Sequence, residues 1–473
     1  MEVKEIFKLE SADKVIQELK AGRNMPQPDV EKARKAIEPE SHNINSKILR
    51  PDKKVLTGAD ENKPEEERYR IEKVSRVRLA LQKLIINRSA SFCFGNPVLY
   101  NATPENDNQH LIVGALRRIL YDNKSDSLNR KIGRTIFGFK ECAEIWYPVE
   151  KPNNRYGFKS KFKLRCAIFS PEKGDELYPY FDDTGDMTVF SRAFSKKDTE
   201  GKTVYYFEAY TDTEHWLWRR LDTAYELVEG YPKEIAIGKI PVIYGYQDYF
   251  ETQDVDSLID RLEALLSNFA DTNDYHASPK IFVKGELRGF AKKGESGAIL
   301  EGDENSDAKY LEWSNAPQSV KLEIETLLRM VYTITQTPDI SFESVKGLGA
   351  ISGIALKLLF MDAHLKVQDK REIFDDYLQR RVNVIKAFIG LFNVTLEKDC
   401  ETIEVQPEIT PYMIESEIDD INLWLAANGN KPLVSQKQSV KSANLSQDPE
   451  ADYEQIQEEA SRDNAFMVGE AME

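Results

Sequence analysis

The most constraining feature of this sequence is an order of parts: helix, small insert, helix, glycine-rich loop, very long helix. Val255, Leu258, Ile259, Leu262, Leu265, Leu266 and Phe269 recur at helical spacing and predict a helix over 254–277, about 35 Å long. An insert, 278–316, opens with a strand at Lys280-Ile-Phe-Val-Lys284. It continues through charged turns at Gly285, Gly289, Gly294, Gly297 and Gly302. Pro317 to Thr335 reads as a second helix with Ile324, Leu327, Leu328, Val331 and Ile334 on one face, and Pro338 ends it. Gly347, Gly349 and Gly353 make a loop of the next stretch. Ser352 is placed to cap a helix that continues to about Phe392, roughly 60 Å in all. Its apolar stripe breaks at Gln368–Glu372, where a kink or a change of packing partner is expected. A hairpin of two striped helices must bury its stripes on something. Identical subunits packed around an axis would do so, and would repeat the glycine loop around a central opening.

The flanking segments read more simply. Residues 1–63, punctuated by Pro26, Pro28, Pro39 and Pro51, look like an arm with little core of its own, apart from a short helix starting at Ser11. Pro64 followed by Glu65, Glu66 and Glu67 predicts the start of a strong helix. It would run through Ile71, Val74, Val77, Leu81 and Ile85 and stop at Phe94-Gly-Asn-Pro97, before a strand at 98–100. Helices are expected at 110–120 and 127–137. From Glu141 to Ile243 the period becomes two, and about six antiparallel strands are expected. A lone strand is placed at 402–406, and helices at 412–427, 435–443 and 449–460.

Composition narrows the function. The 473 residues carry 64 Lys+Arg and 80 Asp+Glu, a net charge of −16. Residues 411–473 hold 13 acidic and 4 basic of these, so over half the excess sits there and the body is nearly balanced. A free, sequence-independent binder of nucleic acid needs a basic face, and this chain lacks that bias. Cys93, Cys142, Cys166 and Cys400 are far apart and form no C-x-x-C pair, which fits a reducing compartment. The N-terminus has no apolar signal core, and no apolar run approaches the ~18 residues of a membrane span.

Catalytic patterns are missing. Gly347-Leu-Gly-Ala-Ile-Ser-Gly353 lacks the lysine of a phosphate-binding loop and follows a helix rather than a strand. His42, His110, His215, His276 and His364 have no zinc spacing. Asp182-Asp183, Asp375-Asp376 and Asp419-Asp420 are adjacent pairs. On a helix such neighbours diverge by about 100°, and Asp182-Asp-Thr-Gly reads as a turn. Lys159, Lys161, Lys163 and Arg165 alternate along a predicted strand, as a solvated face or as one that meets phosphate or an acidic partner.

Four stretches carry a resemblance: Asn87-Arg-Ser-Ala-Ser-Phe-Cys-Phe-Gly-Asn-Pro-Val98; Asp256–Asp260 through Asn268-Phe-Ala-Asp271 and Pro279–Gly285; Thr337-Pro-Asp339 with Gly349-Ala-Ile-Ser-Gly-Ile-Ala-Leu-Lys357; and Ser435-Gln-Lys437 with Asp448-Pro-Glu-Ala-Asp-Tyr-Glu454. In order and spacing, over roughly residues 40–460, the chain resembles the portal proteins of tailed double-stranded-DNA bacteriophages, in the siphovirus-type branch. The resemblance implies an α+β portal fold that assembles as a ring, usually of twelve subunits, at one capsid vertex. Its expected parts are an N-terminal arm (1–63), an α/β wing (64–253), stem helices (254–277 and 317–337) carrying a small α/β clip (278–316), a tunnel loop (338–352), a long kinked helix with a return strand of the wing (353–408), and an α-helical crown (409–473).

That resemblance implies a conduit for packaging, retention and ejection of the genome rather than an enzyme, with no cofactor and no metal. The implied partners are double-stranded DNA, the terminase large subunit, a head-completion adaptor, the major capsid protein and scaffold, with no membrane. The particle would be assembled in the bacterial cytoplasm. Glu343, Ser344, Lys346, Gly347, Leu348 and Gly349 would lie nearest the DNA. Lys321, Glu325 and Arg329 are candidates to line the bore, and Lys284, Arg288, Lys292 and Lys293 to meet partners. The alternatives are another ring-forming head–tail connector, or a metal-dependent nuclease using one of the acidic pairs.

Overall fold

Residues 3–56 pack on distant parts of the chain rather than around a core of their own. Helices α1 (Val3–Ile6) and α2 (Ala12–Ala21) bury Ile6, Val15, Ile16 and Leu19. Ser11 caps α2 as expected, its hydroxyl accepting from the Lys14 N–H at 3.4 Å. Asp29 caps α3 (Val30–Ile37) in the same way. The apolar face of a ten-residue helix is too small to stand alone, so its core lies in residues far along the chain: Tyr178, Val189, Phe207, Ala209 and Trp218. This computed structural model describes residues 3–56, 64, 69–276, 281–284, 307–310, 316–339, 360–412, 434–443 and 453–459. The chain divides into two compact units, one of Met1–Ser344 with Phe360–Tyr412 and one of Val345–Leu359 with Met413–Glu473.

In the first unit, β1 (Lys53–Leu56) and β2 (Tyr69–Glu72) form an antiparallel ladder, and the next helix, α4 (Leu81–Phe94), starts only at Leu81. The helix expected from Pro64 is therefore absent at 69–80. Strand β3 (Leu99–Ala102) and helices α5 (Asp107–Asp122) and α6 (Ser125–Phe139) follow.

The region read as six strands holds nine: β4 (Glu141–Asn153), β5 (Ser160–Phe169), β6 (Glu176–Phe181), β7 (Met187–Lys197), β8 (Thr203–Tyr210), β9 (Glu214–Leu221), β10 (Ala224–Leu227), β11 (Lys233–Glu234) and β12 (Val242–Tyr246). Tight turns at Asp182 and Asp198 join β6 to β7 and β7 to β8. The Asp182 carboxylate accepts from the Thr184 and Asp186 N–H groups at 2.9 Å, which makes Asp182-Asp-Thr-Gly the turn expected of it. One sheet runs β10-β9-β8-β7-β6 with β11 on β9, and the other runs β12-β4-β5. Ala143, Phe169, Leu177, Phe190, Tyr210 and Val242 pack together between them.

Helix α7 (Asp256–His276) and helix α8 (Ala316–Ile334) flank a short ladder of β13 (Ile281–Lys284) with β14 (Asp307–Tyr310). Val255, Ile259 and Leu262 pack with Leu81 and Ile85 of α4 and with Val331, Ile324 and Leu327 of α8. Helix α9 (Met361–Phe392) runs without a break in its helical assignment through 368–372, about 48 Å long. Its part before 360 lies outside the described residues. Gly245 lets β12 approach this helix, since a Cβ there would sit 2.8 Å from the Tyr377 ring. After α10 (Glu397–Thr402), strand β15 (Val405–Glu408) is not alone but pairs antiparallel with β3.

In the second unit, α11 (Gln436–Ala443) and a helical segment at 453–459 match two expected helices, and Gln457 Nε2 donates to Gln436 Oε1 at 2.9 Å. The helix expected at 412–427 falls, apart from Tyr412, outside the described residues, as does Asp419-Asp420.

Candidate functional site

Helix α7 has an apolar side toward α4 and α8 and a polar ridge on another. Four-residue steps along a helix advance about 6.0 Å, and two-residue steps of extended chain about 6.6 Å. Residues 75–79 use this match. The Ser75 N–H donates to Asp271 Oδ1 at 2.7 Å, Val77 N–H to Ser267 Oγ at 2.9 Å, and Leu79 N–H to Glu263 Oε1 at 2.7 Å. Three alternate backbone donors thus meet three side chains at spacing four on one helix face. This ridge, rather than local propensity, keeps 73–80 out of helix.

The same ridge holds the chain N-terminal to it. His42 Nδ1 lies 2.7 Å from Glu263 Oε1, both side chains buried. Burial lowers the His42 pKa, but Glu263 and the Ala36 carbonyl outweigh it, so the imidazole stays above its ordinary value. Arg50 donates to Asn268 and Asp271 at 2.7 Å, and Asn43 to Asp260 at 2.9 Å. Hydrogen bonds to Ser75 and the charges of Arg50 and Lys53 outweigh desolvation at Asp271, holding its carboxyl below the usual range.

On α8, Lys321 and Glu325 form an i,i+4 ion pair at 3.7 Å, 76% and 61% exposed, and Arg329 is exposed one turn further. The three candidates lie along one solvent-facing stripe. Leu322, Met330 and Ile334 are also exposed, as are Met361 and Leu365 on α9. Arg261 of α7 meets Glu323 of α8 at 2.7 Å. Lys284 is exposed on β13. Arg288, Lys292, Lys293, Glu343, Ser344, Lys346, Gly347, Leu348 and Gly349 lie outside the described residues.

The sequence matches the family described as "Phage portal protein, SPP1 Gp6-like" over residues 17–465. The chain belongs to the phage portal proteins. No curated protein matches it. Among solved structures, this portal chain is similar to a chain of the neck of an empty GTA particle computed with C6 symmetry, with 11% identity over 77% of this chain and 89% of that one and a TM-score of 0.39. It is also similar to one of the neck of a native GTA particle computed with C12 symmetry, with 11% identity over 77% and 88% and a TM-score of 0.37. The portal family is a structural, non-enzymatic part of a phage particle. Among the described residues no group of His, Cys, Asp and Glu is arranged to hold a metal ion, and no helix is long and apolar enough to cross a membrane.

The alternating cations of β5 are a largely solvated face in this portal chain: Lys161 and Arg165 are exposed, while Lys163 pairs with Asp122 at 3.4 Å. Asp375 is taken by Arg371 at 3.2 Å. The four cysteines are free, and burial pushes the Cys93 thiol up to about 12. Sequence reasoning missed the buried ions. Arg381 donates to both oxygens of Glu144, at 2.6 and 2.8 Å, and to Asn129 at 2.6 Å, all fully or nearly fully buried. Lys366 and Lys370 both reach Glu251. A signal was present for Lys370, which stands where the α9 apolar stripe breaks, four residues after Lys366.

Proposed function

We propose that this portal chain assembles as a ring of roughly twelve copies at one capsid vertex, and that duplex DNA passes along its axis during packaging and ejection. The observation that carries this reading is the family match over almost the whole chain. The hairpin of α7 and α8 supports it, because exposed Leu322, Met330 and Ile334 leave an apolar face that a neighbouring copy would cover. In this reading α7 and α8 are the stem, 278–316 the clip that meets terminase and then a head-completion adaptor, 338–352 the tunnel loop, the β-rich region the wing, and 409–473 the crown.

The charge distribution suits a conduit. Duplex DNA carries one charge per ~1.7 Å, so a strongly basic bore would hold it. The exposed α8 stripe alternates Lys321, Glu325 and Arg329 rather than presenting one sign, and the acidic C-terminal segment would repel packed DNA. Glu343, Ser344, Lys346 and Gly347–Gly349 are assigned to the DNA-facing loop. Negative-stain images of the purified protein test the reading. Rings with a central hole are the expected result, and compact monomers, with or without co-expressed scaffold, would overturn it.

A further inference from the structure

Inside the larger unit, one carboxylate sits between two ammonium groups. Glu251 Oε1 is 2.6 Å from Lys366 Nζ and Oε2 is 2.7 Å from Lys370 Nζ, with all three side chains 3–5% exposed. The count is unbalanced, two cations to one anion, in a place where uncompensated charge is costly. Lys370 is well supplied otherwise. It reaches Gln247 Oε1 at 3.1 Å and the Tyr249 hydroxyl at 3.3 Å, and lies over the Phe137 and Tyr249 rings.

Lys366 finds its second acceptor elsewhere. It donates to the Thr335 carbonyl at 2.7 Å, which also accepts from the Thr337 hydroxyl at 3.2 Å. Thr335 stands just past the last residue of α8. The carbonyls at a helix end lack intrahelical partners and carry about half a negative charge. The end of α8 therefore adds a partial negative charge to that of Glu251 in the cluster. A further cation meets the same end, since Arg88 Nη1 donates to the Pro338 carbonyl at 3.0 Å. On the other side of residues 340–359, Phe360 is buried against Phe92 at 6.2 Å.

From this geometry we infer that Lys366 is a positioning residue that holds the C-terminal end of α8 against α9, with Glu251 and Lys370 keeping its ammonium in place. If the end of α8 moved off, Lys366 would stay buried beside a carboxylate already shared with Lys370. The joint between the two helices is thus held by charge balance as well as by packing. Its bearing on DNA passage rests on the channel reading above. The holding role does not, and the test reads that role alone.

The test is hydrogen–deuterium exchange on the full-length protein as wild type, Lys366→Met and Lys370→Met. Each variant leaves Glu251 one lysine, so neither strands an unpaired carboxylate. Lys366→Met should speed exchange of the amides of 331–339 by about tenfold or more while leaving 374–389 of α9 within about twofold. Lys370→Met, which removes a charge from the same cluster but does not touch α8, should leave 331–339 within about twofold of wild type. Unchanged exchange at 331–339 in Lys366→Met, or an equal rise in both variants, overturns the inference. Should Lys366→Met fail to fold, the wild type decides. The Thr335, Gln336 and Thr337 amides must exchange as slowly as those of 327–331, and rates of a frayed helix end would overturn the inference too. Absence of rings in electron micrographs would sink the channel reading and leave these outcomes unaffected.

Discussion

Single side chains do unusual electrostatic work in this molecule. Removing one partner of a buried ion pair strands the other, which typically costs about 3–5 kcal/mol. Glu144→Gln should therefore destabilise the protein by roughly that amount, because Arg381 is fully buried against it, as read by denaturant unfolding. His42 gives a pH signature. Its folded pKa is raised, so its pairing with Glu263 contributes fully below the unfolded value of 6.5 and is lost as pH rises through the higher folded value. The melting temperature of wild type relative to His42→Gln should fall by about 1–3 °C between pH 6 and pH 8.5. A difference that stays flat over that range would contradict the pairing. None of these partnerships was legible in the sequence. A histidine in a polar arm and a glutamate 221 positions away share no pattern, and periodicity treats every charged residue as surface.

Elements were legible where their own residues decide them. The stripes that predict helices over 254–277 and 317–335 match α7 and α8 within two residues at each end, because each buries one apolar face. The helix from Pro64 failed because its apolar positions are used by an extended segment whose donors go to α7. Ser267→Ala and Asp271→Ala together remove two acceptors of that segment. They should raise exchange of the amides at 75–77 while α7 itself stays protected, and equal loosening of both would contradict the ridge account. The break in the α9 stripe at 368–372, where a kink or a change of packing partner is expected, is a related case. The polar interruption is satisfied inside the protein by Glu251, so the helix continues past it.

At the scale of the whole molecule, the sequence carries more about assembly than about the isolated chain. In the ring proposed above, the exposed Leu322, Met330 and Ile334 of α8 would be covered by a second copy. Leu322→Asp with Met330→Asp should abolish rings in electron micrographs while the melting temperature changes by less than about 3 °C. Lys346→Asp should leave rings intact and lower packaging yield, and unchanged packaging would count against its assignment to the DNA-facing loop. Of the site read from the resemblance, residues 340–352 of the tunnel loop and Arg288, Lys292 and Lys293 lie outside the described residues.

The ridge on α7 has one more consequence. It grips residues 75, 77 and 79 by their main chain, so each of these three hydrogen bonds needs only an N–H to give. Mutational tolerance across this contact is accordingly lopsided. Nearly any residue but proline keeps the contact at 77, while Leu79 is also held by its packing on the core of α4, α7 and α8 and the Ser75 side chain also bonds Asp271; 263, 267 and 271 must each keep an acceptor of the right reach. A saturation library covering both sides would record one contact as two unrelated profiles, permissive at 77 and strict at 267.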